Sequence, residues 1–257
     1  MKILLFYPSH RQLDEVKYSS AFFNKTAFLK KNSEVYLHCN NIEIDESTLK
    51  ENVKQFNCKS YITITEKNSG YLSGPSEAIS DSYEMFLENE YDYVIHLHPD
   101  VYILNETKIV SALRANYDED ADFLVYELPK TVPWEPGVIR ERQYAFDFFV
   151  FKPKEGNNIF KNFDLYWHHY PKQAPERFLY DMIHENNCSY AILDRGPFGS
   201  MMEGYRRGSD PEPFGIWHCH DNEKVRRYIE KGTLSRHITI DVDGNIKTTG
   251  NMSSPSF

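Results

Sequence analysis

Residues 91 to 103 read YDYVIHLHPDVYI. The run is apolar enough for a buried strand, yet His96, His98 and Asp100 stand at every second position. Alternate residues of an extended chain point to one side, so the spacing predicts one shared face for these three. Pro99 cannot donate to a ladder and marks where pairing stops. A polar site at the carboxyl end of a buried strand is what such a pattern builds.

Strands and helices alternate on both sides of this stretch. Toward the N-terminus, residues 3–7 and 34–39 read as strands, with helical spacing of Phe22, Phe23, Ala27 and Phe28 between them in residues 19–31. A short helix at 45–55, a β-branched strand at 59–65 and a polar loop, EKNSGYLSG, lead to Pro75. Proline favours the first turn of a helix, and here the helix runs on through Met85 and Leu87. Toward the C-terminus come a helix near 106–115, a strand at 121–128, a proline-rich loop at 129–137, a strand at 144–153 and a helix over 175–187. Such alternation predicts an α/β fold, a mixed, mainly parallel sheet flanked by helices, with ligands at the carboxyl ends of the strands. Asp243-Gly244, between two alternating runs, predicts a hairpin. The expected organisation is one domain over 1–237, divided near residue 105 into two halves, followed by a hairpin and tail at 238–257.

Composition narrows the function. The chain has 257 residues, 40% hydrophobic and 15% aromatic, enough for one well-filled core and unlike a disordered segment. A net charge of -9 without a basic block argues against a nucleic-acid partner. The opening MKILLFYPSHR has an apolar core too short for a secretion signal and reads as the first strand. No window approaches about 20 apolar residues, so no transmembrane segment is expected. Cys39, Cys58, Cys188 and Cys219 are scattered without a Cys-x-x-Cys pair, which fits a reducing compartment, the cytoplasm.

The order of an opening strand, a Lys67-Asn68-x-Gly70 loop with Gly74 close behind, a helix, and an apolar strand ending in His98-Pro99-Asp100-Val101 resembles the GT-A fold of nucleotide-sugar glycosyltransferases. The resemblance spans roughly residues 1–220. Where that family has Asp-x-Asp, this chain has an imidazole in first place. The resemblance implies transfer of a sugar from a nucleoside-diphosphate donor to a saccharide or glycolipid acceptor. It also implies a hexosyltransferase of polysaccharide assembly, with peripheral membrane contact allowed by a lipid acceptor. The two halves of the domain become nucleotide-binding and acceptor-binding, and the oligomeric state is left open.

Expulsion of a nucleoside diphosphate builds negative charge that a divalent cation stabilises. Asp100 is the first candidate ligand. Mn²⁺ or Mg²⁺ would serve, and His98 favours manganese because imidazole suits it better. By the resemblance a late histidine returns to the metal. In GIWHCHDNEK, His218 and His220 share a face if extended, and His220 is the favoured ligand. The resemblance also assigns nucleotide contacts to Pro8, His10 and Arg11 after the first strand, and to Asn68, Gly70 and Gly74 in the loop.

An inverting reaction needs a base for the acceptor hydroxyl. The helix APERFLYDMIHE resembles the family's acidic helix, with Glu176 the first choice and Asp181 the second. Asp147 is a charge among phenylalanines, and burial there calls for an acceptor hydroxyl, a cation or a structural hydrogen bond to face it. Trp134 is a candidate stacking residue for a sugar ring, and Arg195, Arg206 and Arg207 are candidate cations on a lid.

Two other readings compete. His96-x-His98-x-Asp100 resembles most of the zinc motif of metallo-β-lactamase-type hydrolases, with Val101 in place of the final histidine. The imidazole in the acidic triplet also suits a non-catalytic sugar-binding protein on a GT-A-like fold.

Overall fold

The computed structural model describes residues 1–66, 70–128, 142–154, 175–193, 215–230, 237–240 and 246–249. Its centre is a seven-stranded sheet in the order β3-β2-β1-β4-β7-β6-β8. The strands are β1 (Ile3–Ser9), β2 (Ser33–Cys39), β3 (Ser60–Ile64), β4 (Tyr93–Leu97), β6 (Phe123–Val125), β7 (Phe148–Phe151) and β8 (Tyr190–Ile192). Strand β7 runs antiparallel to both neighbours, and the other six run one way.

Every residue of β1, β4, β6 and β7 is buried, because helices cover both faces of the sheet. Ile3, Leu5 and Tyr7 pack on one face with α1 (Leu13–Phe23), α2 (Phe28–Asn32), α3 (Glu46–Lys54) and α5 (Glu106–Glu119). Leu4 and Phe6 face α4 (Gly70–Glu88) and α6 (Pro175–Glu185) on the other. A separate two-stranded ribbon pairs β5 (Val101–Ile103) with β9 (Ile216–His218), antiparallel. It has its own small core of Phe22, Tyr102, Trp217, Cys219 and Val225, the last from α7 (Asn222–Glu230). Strands β10 (His237–Ile240) and β11 (Ile246–Thr249) form an antiparallel hairpin.

Several elements differ from the sequence expectation. The helix expected over 19–31 is two helices, split where Thr26 Oγ donates to the Phe23 carbonyl and ends the first. The second is capped from outside. The buried Glu106 carboxylate accepts the N–H groups of Ala27, Phe28 and Leu29 at 2.7, 3.3 and 2.9 Å. Helix α4 starts at Gly70, so Pro75 sits inside it at the cost of one backbone hydrogen bond. The strand expected at 144–153 is reduced to β7, preceded by an isolated bridge between Tyr144 and Glu127, and Asp147 stands just before it. The strand expected at 121–128 keeps only three residues. Among the described residues no helix is long and apolar enough to cross a membrane.

Candidate active site

The quoted run 91–103 is two strands with a turn between them. Strand β4 ends at Leu97, and the Val101 N–H donates to the His98 carbonyl at 3.0 Å, closing a turn over Pro99-Asp100. Ser19 on α1 donates its hydroxyl to the Pro99 carbonyl at 3.0 Å and buttresses it. The alternation therefore stops at His98, and Asp100 does not share the face of His96. Pairing of Val101 with His218, together with a 3.0 Å bond from the Cys219 N–H to the Asp100 carbonyl, lays the end of β9 beside the turn. Cys219 points into the ribbon's core, which leaves His218 and His220 on the other side.

Five groups then form a chain of alternating imidazole and acid. His220 Nδ1 is 2.5 Å and His218 Nε2 is 3.4 Å from Asp100 Oδ2. The other ring nitrogen of His218 is 3.4 Å from Asp147 Oδ2, and Asp147 Oδ1 is 3.1 Å from His98 Nδ1. Ligand atoms of Asp100, His218 and His220 all lie within 4.8 Å of one another. His98, a ligand candidate beside Asp100 in the sequence, faces Asp147 instead. His218 stands where His98 was expected.

The charges follow from this packing. Burial alone would raise the Asp100 carboxyl, but hydrogen bonds from His218 and His220, and the charges of His218 and His98, hold it far below the usual carboxylate range. Burial is likewise overridden at Asp147 by the His98 hydrogen bond and by the charges of His98 and His218, so it too is depressed. At His218, burial opposes ionisation and loses to Asp100, Asp147 and Glu176, which raise its pKa.

Beside the cluster a cleft of about 420 Å³ opens at the carboxyl ends of β1, β2 and β4. Pro8, His10, Arg11, Gly74 and His98 line it, as do His38 and Asn40, two residues that the sequence pattern does not single out. Asn40 directly follows β2, and that position at a strand end is the one signal that points to it. Its Oδ1 is 3.0 Å from His10 Nδ1, and a Cβ added at Gly74 would come within 2.8 Å of its Nδ2. The start of α4 fits against that amide only because residue 74 has no side chain. Arg11 is largely exposed, 3.9 Å from Glu43. Gly70 opens α4, while Asn68, Trp134, Arg195, Arg206 and Arg207 lie outside the described residues.

Helix α6 carries the two candidate bases. The Glu176 carbonyl accepts the Tyr144 N–H at 3.1 Å, which ties the first turn to the segment before β7. Asp181 is engaged elsewhere, gripped by Arg177 at 2.9 and 2.6 Å. His96 is fully buried, stacked on Phe149 at 4.6 Å and bordered by Phe6 and Phe146, with its pKa pushed well down by burial. Its ring centre is 5.4 Å from that of His98, but it is not among the groups whose ligand atoms gather at Asp100, so the zinc hydrolase reading loses its first ligand.

No family model and no curated protein sequence matches the chain. Solved structures do. Glycosyltransferase GlyE of Streptococcus pneumoniae TIGR4 aligns with TM-score 0.56 at 12% identity, over 89% of this chain and 60% of that one. Mouse xyloside xylosyltransferase 1, in its apo form, aligns with TM-score 0.50 at 12% identity, over 86% and 98%. S. aureus TarS 1-349 aligns with TM-score 0.51 at 17% identity, over 75% and 58%. The chain thus spans about three fifths of GlyE and of TarS 1-349, and 40% of the longer TarS structure.

Proposed function

We propose that this chain, whose fold is that of the GT-A glycosyltransferases, transfers a sugar from a nucleoside-diphosphate donor to a saccharide or glycolipid acceptor. The observation that carries the reading is the join between the cleft and the cluster. His98 and Pro99 line the open cavity at the strand ends, and the next residue of the same turn is Asp100, a carboxylate flanked by two imidazoles. Sugar nucleotides need both parts, a slot for the nucleoside and a cationic centre for the diphosphate.

Asp100, His218 and His220 would hold the cation. One hard oxygen and two borderline nitrogens suit Mn²⁺ better than Mg²⁺, and the depressed carboxyl of Asp100 is ready to bind at any physiological pH. Such an ion supplies neutralisation of the departing diphosphate. Pro8, His10, Arg11, Asn40 and Gly74 would form the wall for base and ribose, with Asn68 and Gly70 contributing from the adjoining loop. Glu176 would take the proton of the acceptor hydroxyl in an inverting, hexosyltransferase-type reaction. Asp181 is the weaker choice because Arg177 occupies both of its oxygens. Free thiols at Cys39, Cys58, Cys188 and Cys219 are in keeping with a cytoplasmic setting.

A thermal-shift series with UDP, GDP, CDP and dTDP conjugates, each with and without Mn²⁺, tests this. A ligand bound only by the folded state stabilises by RT ln(1 + [L]/Kd), so at least one conjugate should raise Tm more with Mn²⁺ than without. Asp100→Ala should abolish the manganese-dependent part. A response to no conjugate, or one untouched by Asp100→Ala, removes the assignment.

A further inference from the structure

We propose that Asp147 is a positioning residue: one carboxylate holds the Nδ1 nitrogens of His98 and His218 together, and so turns Nε2 of His218 toward Asp100. The inference rests on the metal-binding reading above. Strand β7 runs against its neighbours, so its first residues arrive at the edge where β4 ends, and the His98 N–H donates to the Asp147 carbonyl at 2.9 Å. That bond fixes the Asp147 backbone directly beside the turn bearing Asp100.

The side chain then reaches both imidazoles. Oδ1 is 3.1 Å from Nδ1 of His98, and Oδ2 is 3.4 Å from Nδ1 of His218. When a cation takes the place of the proton on Nε2, a carboxylate facing Nδ1 keeps the ring's remaining proton there and orients the Nε2 lone pair. Nε2 of His218 points to the side where Asp100 Oδ2 and His220 Nδ1 meet. Asp147 therefore stands one layer behind the ligand atoms. Through His98 it also borders the nucleotide cleft, so one group aligns the ion's ligand and the cleft wall.

The consequence is read with Mn²⁺ alone, without nucleotide, by electron paramagnetic resonance of the free ion. In Asp147→Asn the amide can accept from only one imidazole. Mn²⁺ affinity should fall about 10–100-fold, the usual cost of losing an outer partner of a ligating histidine. Asp147→Glu keeps the charge and should fall less. In a His218→Ala background, Asp147→Asn should cost nothing further, because the effect passes through His218. A merely structural role would make the losses add and would lower Tm in step. Wild-type affinity in whichever Asp147 variant folds, or full additivity with His218→Ala, overturns the inference. A wild-type protein that fails to bind Mn²⁺ sinks the metal reading itself.

Discussion

His220 Nδ1 lies 2.5 Å from Asp100 Oδ2, although the two residues come from opposite halves of the chain. The contact depends on the β5–β9 ribbon, whose register sets Val101 against His218. His220 is more than half exposed and His218 is about 10% exposed, so the two histidines should respond differently to removal.

His220→Ala should weaken Mn²⁺ at least as much as an outer-partner change, about 10–100-fold, while leaving Tm without metal within a degree or two. His218→Ala should weaken Mn²⁺ similarly and also destabilise the metal-free protein, since Asp100 and Asp147 both lose a buried partner. Equal Tm values for the two variants would contradict this asymmetry.

The two acids of α6 should separate cleanly. Glu176→Gln should lower turnover about 10²–10⁴-fold with donor affinity intact, as expected for loss of a general base. Asp181→Asn should leave the proton transfer alone and remove only the i,i+4 pair with Arg177, costing about 0.3–1 kcal/mol in urea unfolding. Arg177 keeps its contacts with the Arg142 carbonyl and the Tyr180 ring. If Asp181→Asn were the variant that abolished turnover at unchanged stability, the roles would be reversed.

Acid should destabilise the fold early. Unfolded His38 takes up a proton near pH 6.5, whereas burial holds the folded residue down at about 4. Between those values the unfolded chain binds more protons, so stability rises with pH across the window. It is lost as pH falls from 6.5 toward 4, by about 3 kcal/mol in full. His96 acts in the same direction. His218, whose pKa is raised, acts above pH 6.5 and with opposite sign. Urea midpoints measured from pH 7 to 4 should decline, and His38→Gln should flatten the curve. A flat wild-type profile would contradict the assignment.

Gly74→Ala probes the cleft wall. The new methyl would meet Asn40 Nδ2, and that amide cannot yield without leaving His10. Nucleotide affinity should drop about tenfold, equivalent to one hydrogen bond, with little change in Tm because alanine is the better helix former. Calorimetric titration with the best nucleotide from the thermal-shift series decides it.

The sheet's first half is legible in the sequence because β1, β2 and β4 are long and buried on both faces, which leaves continuous apolar runs between turn residues. Strand β6 is legible as the middle of the apolar run 121–128, whereas β8 and β9 are three residues each, too short for alternation to register. Asp147 is conspicuous as a charge among aromatics, but its partners depend on antiparallel pairing of β7 with β4, which no local pattern encodes. The same holds for His218. Its spacing from His220 is visible in GIWHCHDNEK, yet only the ribbon register says that both reach Asp100.

Because the ribbon borrows one strand from each half of the chain, the proposed cation centre cannot exist while the second strand is still unmade. During synthesis the strands from β1 to β4 can pair well before residue 220 leaves the ribosome. Manganese uptake would therefore report the last stage of assembly, and a fragment truncated after β8 should retain most of the sheet yet be blind to the ion.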